Sequence, residues 1–307
     1  MDYACLSSQI YTCPPVGREV KLPGGSVRRK IRMRYVTLSD GEQVPCLGIG
    51  TWRMGENGRK RRGEIEAVRT AIELGLTLID TAEMYGEGGA EEVVAEAVAD
   101  RRRDVFIVTK VHPRNASGAN TIAACERSLK RLHSDVIDLY LLHWRSSVPL
   151  EETVGAFRQL QKDGKIRHWG VSNFDVGDMA ELMQIDGGCA ANQVMYHLGA
   201  RGIEFDLLGS LKEAGVPMMA YSPLAGGDIL ENKTVNEIAE SRGVSPATVA
   251  LAWVLRQEQV IAIPKTSKKA RVKEFRDALD LTLNIYELQG LDKAFPVPEK
   301  RTPLAMS

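Results

Sequence analysis

The stretch LTLIDTAEMYG, residues 76–86, reads as a short apolar strand ending on an acid, Asp80, with a phenol, Tyr85, in the loop just beyond. Two later runs repeat the design: DVFIVTK (104–110) ends on Lys110, and VIDLYLLH (136–143) ends on His143. Outward from these, strand-like runs recur at CLGIGT (46–51), IRHWGVS (166–172), CAANQVM (189–195), VPMMAYS (216–222) and VIAIPK (260–265). Helical patterns separate them, at 63–74, 90–99, 119–132, 150–163, 175–185, 203–214, 234–242 and 246–256. Ser245-Pro246 supplies an N-cap and a first-turn proline, and Gly75, Gly164 and Gly215 stand where glycine ends a helix. Strands apolar on both faces, alternating with helices, predict a parallel α/β architecture.

Of the two parallel architectures, the closed (β/α)8 barrel fits better. Asp80, Lys110, His143, Ser172, Gln193, Tyr221 and Lys265 mark the C-terminal ends of seven successive strands. A barrel gathers its site at that face, whereas a doubly wound sheet would place a ligand at one switch point. The dinucleotide fingerprint is also incomplete, because Gly86 and Gly88 are followed by Gly89, Ala90 and Glu91. Ahead of the barrel, YVTLSDGEQVPCLG predicts a β-hairpin turning at Asp40-Gly41. The barrel domain is expected over 35–307. Residues 1–34 hold Pro14-Pro15, Gly24-Gly25 and a basic cluster around Arg28, without apolar periodicity, and read as a disordered extension.

Composition narrows the partners. Lys plus Arg equals Asp plus Glu at 40 each, so neither nucleic acid nor an anionic membrane surface is implied. No apolar run approaches a membrane span. Five cysteines without a C-x-x-C pair suit a reducing, cytoplasmic setting, and no metal site is expected. The chain is expected to work as a monomer on a small molecule.

Asp80, Tyr85, Lys110 and His143 at one barrel face make a coherent set. Reducing a carbonyl needs a hydride on carbon and a proton on oxygen. No side chain supplies hydride, so a nicotinamide is required. A free phenol is a poor acid at neutral pH, and a neighbouring ammonium can lower its pKa. Tyr85 is then the donor, Lys110 its tuner and Asp80 the partner of Lys110. His143 would orient the carbonyl oxygen. Singly, each has an ordinary alternative: a turn cap, a loop aromatic, a solvated strand end, a core histidine.

This set resembles the catalytic tetrad of the aldo/keto reductases. LGIGTW, LIDTAEMYG, DLYLLHW, GKIRHWGVSNF, NQVMYH, AYSPLA and VIAIPKTS are similar to that family's motifs in its chain order, across nearly all of 35–307. Within the family the likeness is to bacterial reductases of the methylglyoxal and 2,5-diketogluconate type. The resemblance implies NADPH as cofactor. It assigns Ser172, Asn173 and Gln193 to the nicotinamide carboxamide, Tyr221 to ring stacking, and Ser222 and Leu224 to the pyrophosphate. It assigns Lys265, Thr266 and Arg271 to the 2′-phosphate and Glu274 to the adenine. Phe275 departs from the family's frequent asparagine and puts one adenine contact in question. The short stretch after Tyr221, with Gly226-Gly227, implies cofactor exchange with little gating. The same fold also serves non-catalytic NADP(H)-binding regulatory modules, but such a role needs no Tyr85–Lys110 pair.

Trp52, Met54, His112, Trp144 and Arg145 follow strands one, three and four and are expected at the substrate mouth. Arg145 could favour keto-acid, dicarbonyl or sugar-derived carbonyls, or be a plain surface charge. The short tail FPVPEKRTPLAMS implies an open pocket and a broad substrate range.

Overall fold

The computed structural model describes residues 33–306. Strands β1 (Tyr35–Thr37) and β2 (Gln43–Pro45) pair antiparallel as the expected hairpin, and Gly41 takes φ 93° in the turn. Eight strands then pair in parallel in chain order: β3 (Ile49–Gly50), β4 (Leu78–Asp80), β5 (Phe106–Val111), β6 (Ile137–Leu142), β7 (Ile166–Ser172), β8 (Asn192–Met195), β9 (Met218–Tyr221) and β10 (Val260–Ala262). Bridges from Leu47 to Ala262 and from Gly50 to Lys265 join first strand to last and close the barrel. A side chain at Gly50 would press on the Ile263 carbonyl at 3.0 Å, so glycine there keeps the seam tight.

Helices α1 (Arg61–Glu73), α2 (Gly89–Val98), α3 (Gly118–Leu132), α4 (Leu150–Lys162), α5 (Val176–Ile185), α6 (Leu207–Glu213), α7 (Lys233–Arg242) and α8 (Pro246–Val254) fall on the expected segments. Ser245 caps α8 by accepting from the Thr248 amide, and Gly75, Gly164 and Gly215 all adopt positive φ after their helices. Two helices were not expected: α9 (Lys269–Asp277) and α10 (Ile285–Ala294). α9 buries only Val272, Phe275 and Arg276, and α10 only Leu291. Such thin apolar stripes leave little periodicity to read.

The core fills the barrel and the helix–strand layer. Trp169, Trp253, Tyr140 and Phe157 are among its largest fully buried side chains, each worth roughly 1.5–3 kcal/mol of burial. The hairpin plugs the N-terminal mouth. Glu42 pairs with Arg167 and lies 2.6 Å from His168 Nε2, while Asp40 lies 3.0 Å from His168 Nδ1. The strand ends that carry Asp80, Lys110 and His143 lie at the opposite, C-terminal mouth.

The folded body begins earlier than position 35. Met33 is buried, and the Arg34 carbonyl accepts from the Cys46 amide. Of the expected extension over 1–34, residues 1–32, with Cys5 and Cys13, lie outside the described residues. Cys46, Cys125 and Cys189 are free and buried. Burial pushes their thiols up to about 11, 12 and 12, which makes them unreactive. No helix among the described residues is long and apolar enough to cross a membrane.

Candidate active site

Register brings the four residues together. Asp80 ends β4, Lys110 sits near the end of β5, and His143 follows β6 directly. Tyr85 opens a 3-10 turn, Tyr85–Gly88, in which Gly86, Glu87 and Gly88 all take positive φ. A side chain at Gly55 would strike the Gly89 backbone at 2.2 Å, so the Tyr85 loop is locked against the first strand's loop by two opposed glycines. The glycines that mimic a dinucleotide fingerprint are explained by this packing.

Lys110 is fully buried at the base of the site. Its Nζ donates to Asp80 Oδ1 at 2.7 Å and Oδ2 at 2.9 Å, to the Thr81 carbonyl at 2.8 Å, and to the Tyr85 hydroxyl at 3.3 Å. An ammonium can only donate, so Tyr85 accepts there. Its own O–H is left to donate elsewhere.

Burial acts against Lys110, but Asp80 and then Tyr85 hold the ammonium above its usual pKa. Burial pushes the Asp80 carboxyl up, while Lys110 and Gln193 pull it back. With three donated hydrogen bonds on its two oxygens, Asp80 is the anion of a buried ion pair. The expectation for Tyr85 needs correction. Lys110 does pull its pKa down, but burial raises it by more and Asp80 adds to the rise, so the net direction is upward. His143 is pushed down to about 2 by burial, then by Lys110 and His112. It is a neutral imidazole whose buried Nδ1 has no partner. Its ring lies edge-on to Tyr85 at 5.8 Å.

A cavity of about 250 Å³ opens above these groups. Its walls include Asp80, Tyr85, His143, Ser172, Asn173, Gln193, Tyr221, Ser222 and Lys265, with Trp52 and Trp144 as the expected apolar faces. The Tyr221 hydroxyl donates to Asn173 Oδ1 at 3.0 Å, and Asn173 Nδ2 donates to the His143 carbonyl at 3.1 Å. Burial lowers the Lys265 pKa; of the charges around it, Glu64 and Glu56 oppose this, while Lys60 and Arg53 add to it. Leu224, Thr266, Arg271 and Glu274 lie off this cavity, on the segments after β9 and β10. Phe275 is buried in the hydrophobic core.

Three expected substrate residues are not on the wall. Met54 is fully buried in the core. Arg145 is held by Asp178 at 3.4 Å and Glu181 at 2.7 Å, which supports the surface-charge reading. His112 stands behind Trp144, edge-on at 4.9 Å, and accepts from the Arg114 amide. In their place the wall takes Met84, Ile263 and Met306. Met84 adjoins Tyr85 and Ile263 follows β10, but nothing local marks Met306. Arg301 pairs with Asp206 at 3.0 Å and Asp175 at 3.5 Å, which pins the tail over the barrel rim. The short tail therefore reaches the pocket instead of leaving it open. A larger hollow of about 560 Å³ runs beneath this tail and contains none of the tetrad.

Comparison with known proteins agrees with this geometry. The family model for the aldo/keto reductase family matches residues 46–295. Methylglyoxal reductase YeaE of Escherichia coli is 50% identical over 283 residues, covering 90% of this chain and all of its own. Glyoxal reductase of Bacillus subtilis is 37% identical over 260 residues, covering 84% and 91%. Among solved structures, an aldo-keto reductase from Klebsiella pneumoniae in complex with NADPH superposes with a TM-score of 0.88 at 45% identity, covering 90% of this chain and 99% of the other. The barrel, its C-terminal site and these matches together place the chain in the aldo/keto reductase family of oxidoreductases.

Proposed function

We propose that the protein reduces aldehydes, ketones or dicarbonyls to alcohols with NADPH, and that Tyr85 delivers the proton. One observation carries the assignment of the acid. Lys110 occupies the acceptor side of the Tyr85 oxygen, so the phenolic proton is available to a carbonyl oxygen in the cavity. Neutral His143 would donate a second hydrogen bond to that oxygen, and Trp52 and Trp144 would exclude water from it.

The donor set suits the cofactor. Bound NADPH supplies the hydride. Ser172, Asn173 and Gln193 offer both donors and acceptors to a carboxamide, and Tyr221 offers an aromatic face. Lys265 and Arg271, with Thr266 beside them, would hold the 2′-phosphate, with Ser222 and Leu224 along the pyrophosphate and Glu274 at the adenine. The two curated relatives described above bear the names of methylglyoxal and glyoxal reductases, so a small α-dicarbonyl is the proposed substrate class.

The test is Tyr85→Phe assayed with methylglyoxal and NADPH. Turnover should fall by roughly 10²–10⁴ with NADPH affinity little changed. A variant keeping more than about half of its turnover would remove Tyr85 as the acid.

A further inference from the structure

Gln193 belongs by resemblance to the carboxamide group, yet its strongest contact points elsewhere. It opens into β8 and is almost fully buried. Its Nε2 donates to Asp80 Oδ2 at 2.8 Å, across the barrel from β8 to β4. An ionised carboxylate only accepts, so this contact fixes the amide: nitrogen toward Asp80, Oε1 turned away from it. Separately, the Gln193 backbone carbonyl accepts from the Ser172 hydroxyl at 2.8 Å and from the Asn173 backbone amide at 2.8 Å. Asn173 Nδ2 donates to Ser172 Oγ at 3.2 Å, and the Tyr221 hydroxyl donates to Asn173. Two hydrogen-bonded groups therefore meet at Gln193: its backbone holds Ser172 and Asn173, with Tyr221 beyond them, and its side chain holds Asp80, with Lys110 and Tyr85 beyond.

We propose that Gln193 is a positioning residue for the proton donor: its side-chain amide fixes the Asp80–Lys110 ion pair that holds Tyr85. The consequence for Tyr85 is physical. Asp80 Oδ2 shares its charge between Lys110 and Gln193. Without the amide, Lys110 alone must satisfy both oxygens. Its contact to Tyr85, at 3.3 Å the longest of its four, is the one that gives way. The catalytic part of this inference rests on the reductase reading; the contact itself does not.

Gln193→Glu tests it, because the introduced carboxyl has two states. Protonated, it donates to Asp80 as the amide does. Ionised, it sets two buried carboxylates at hydrogen-bond distance with one cation between them, so its pKa must lie above the ordinary value of about 4.3. The raised folded pKa makes the added stability present below about 4.3 and lost as pH rises through the folded value. We expect the ratio of variant to wild-type kcat to fall at least roughly tenfold between pH 5.5 and pH 8. The melting temperature of the cofactor-free variant should fall over the same range.

A residue that only holds the carboxamide behaves differently. An ionised carboxylate still accepts from an amide NH2, so the NADPH KM would change while the pH profiles of kcat and of melting stayed like wild type. That result overturns the proposal. The melting arm needs neither cofactor nor substrate. A pH-dependent melt together with an unimpaired Tyr85→Phe enzyme would remove Tyr85 as the acid and leave the Gln193–Asp80 contact standing. Should Gln193→Glu fail to fold, Gln193→Met keeps the volume and removes the donor. It should lower kcat at saturating NADPH roughly tenfold, the scale of one lost hydrogen bond to a charged group. Wild-type kcat in Gln193→Met would equally overturn the assignment.

Discussion

Replacing His143 by glutamine should change how the protein's stability responds to acid. In the folded chain the imidazole sits at about 2, held down first by burial and then by the positive charge of Lys110 and of His112. In the unfolded chain it returns to about 6.5. Below that value the unfolded state binds a proton that the folded state refuses. Stability is therefore undiminished above about 6.5 and erodes as pH falls through it, continuing toward the folded value. At pH 5 the difference amounts to about 1.5 pH units, or about 2 kcal/mol, and at pH 7.5 to less than about 0.1 kcal/mol. Any folded value below about 4 gives the same loss at pH 5, so the result turns on burial and not on the last unit of pKa. Urea unfolding of wild type and His143→Gln at pH 7.5 and pH 5 measures it. Wild type should lose about 2 kcal/mol more than the variant over that interval, the other histidines cancelling in the difference. Parallel pH dependences, within about 0.5 kcal/mol, would refute the buried neutral imidazole.

Lys110→Met should destabilise by roughly 3–5 kcal/mol by stranding Asp80. The loss should grow with pH, because removing Lys110 leaves burial less opposed and raises the folded Asp80 pKa further, and stability tied to that raised carboxyl is lost as pH rises toward it; adding Asp80→Asn should restore much of it, and a pH-independent loss would contradict the ion pair. Wild type should prefer NADPH to NADH by at least roughly 10-fold in kcat/KM at low salt, and Arg271→Ala should erode this through the NADPH KM alone. Equal damage to both cofactors would place Arg271 outside the 2′-phosphate site. Met306→Ala should lower the KM of a bulky aromatic aldehyde by roughly threefold or more while leaving methylglyoxal within about twofold, and unchanged kinetics for both would remove the tail from the pocket wall.

The sequence carried the barrel and the tetrad because both are written in strand ends. A short apolar run that stops on a polar residue announces its own C-terminal edge, and the parallel sheet then brings Asp80, Lys110 and His143 to one face. Helix ends were legible for a similar reason, through Ser245-Pro246 and the glycines after α1, α4 and α6. The pocket walls were not. Met54 follows β3 just as Trp52 does, but loop direction sends one inward to the core and the other to the rim, and periodicity has no hold on a loop. Arg145 could be judged only by its neighbours Asp178 and Glu181, more than thirty positions away. Met306 depends on a tail pinned by Arg301, and Gln193–Asp80 spans 113 positions. Contacts of that length leave no local trace.

The pKa of Tyr85 shows what a pairwise reading omits. Lysine beside tyrosine suggests a stronger acid, and Lys110 does act in that sense. Yet the same burial that makes the ion pair strong also opposes the phenolate, and Asp80 brings a negative charge to the same place. The balance leaves a phenol at neutral pH, with Lys110 on its acceptor side and its proton toward the cavity. On the proposed reading, that is the state reduction consumes. Alcohol oxidation would have to start from the phenolate, which burial and Asp80 both disfavour. The site is therefore poised for carbonyl reduction near neutral pH, and its oxidative direction should gain as pH rises toward the elevated pKa of Tyr85.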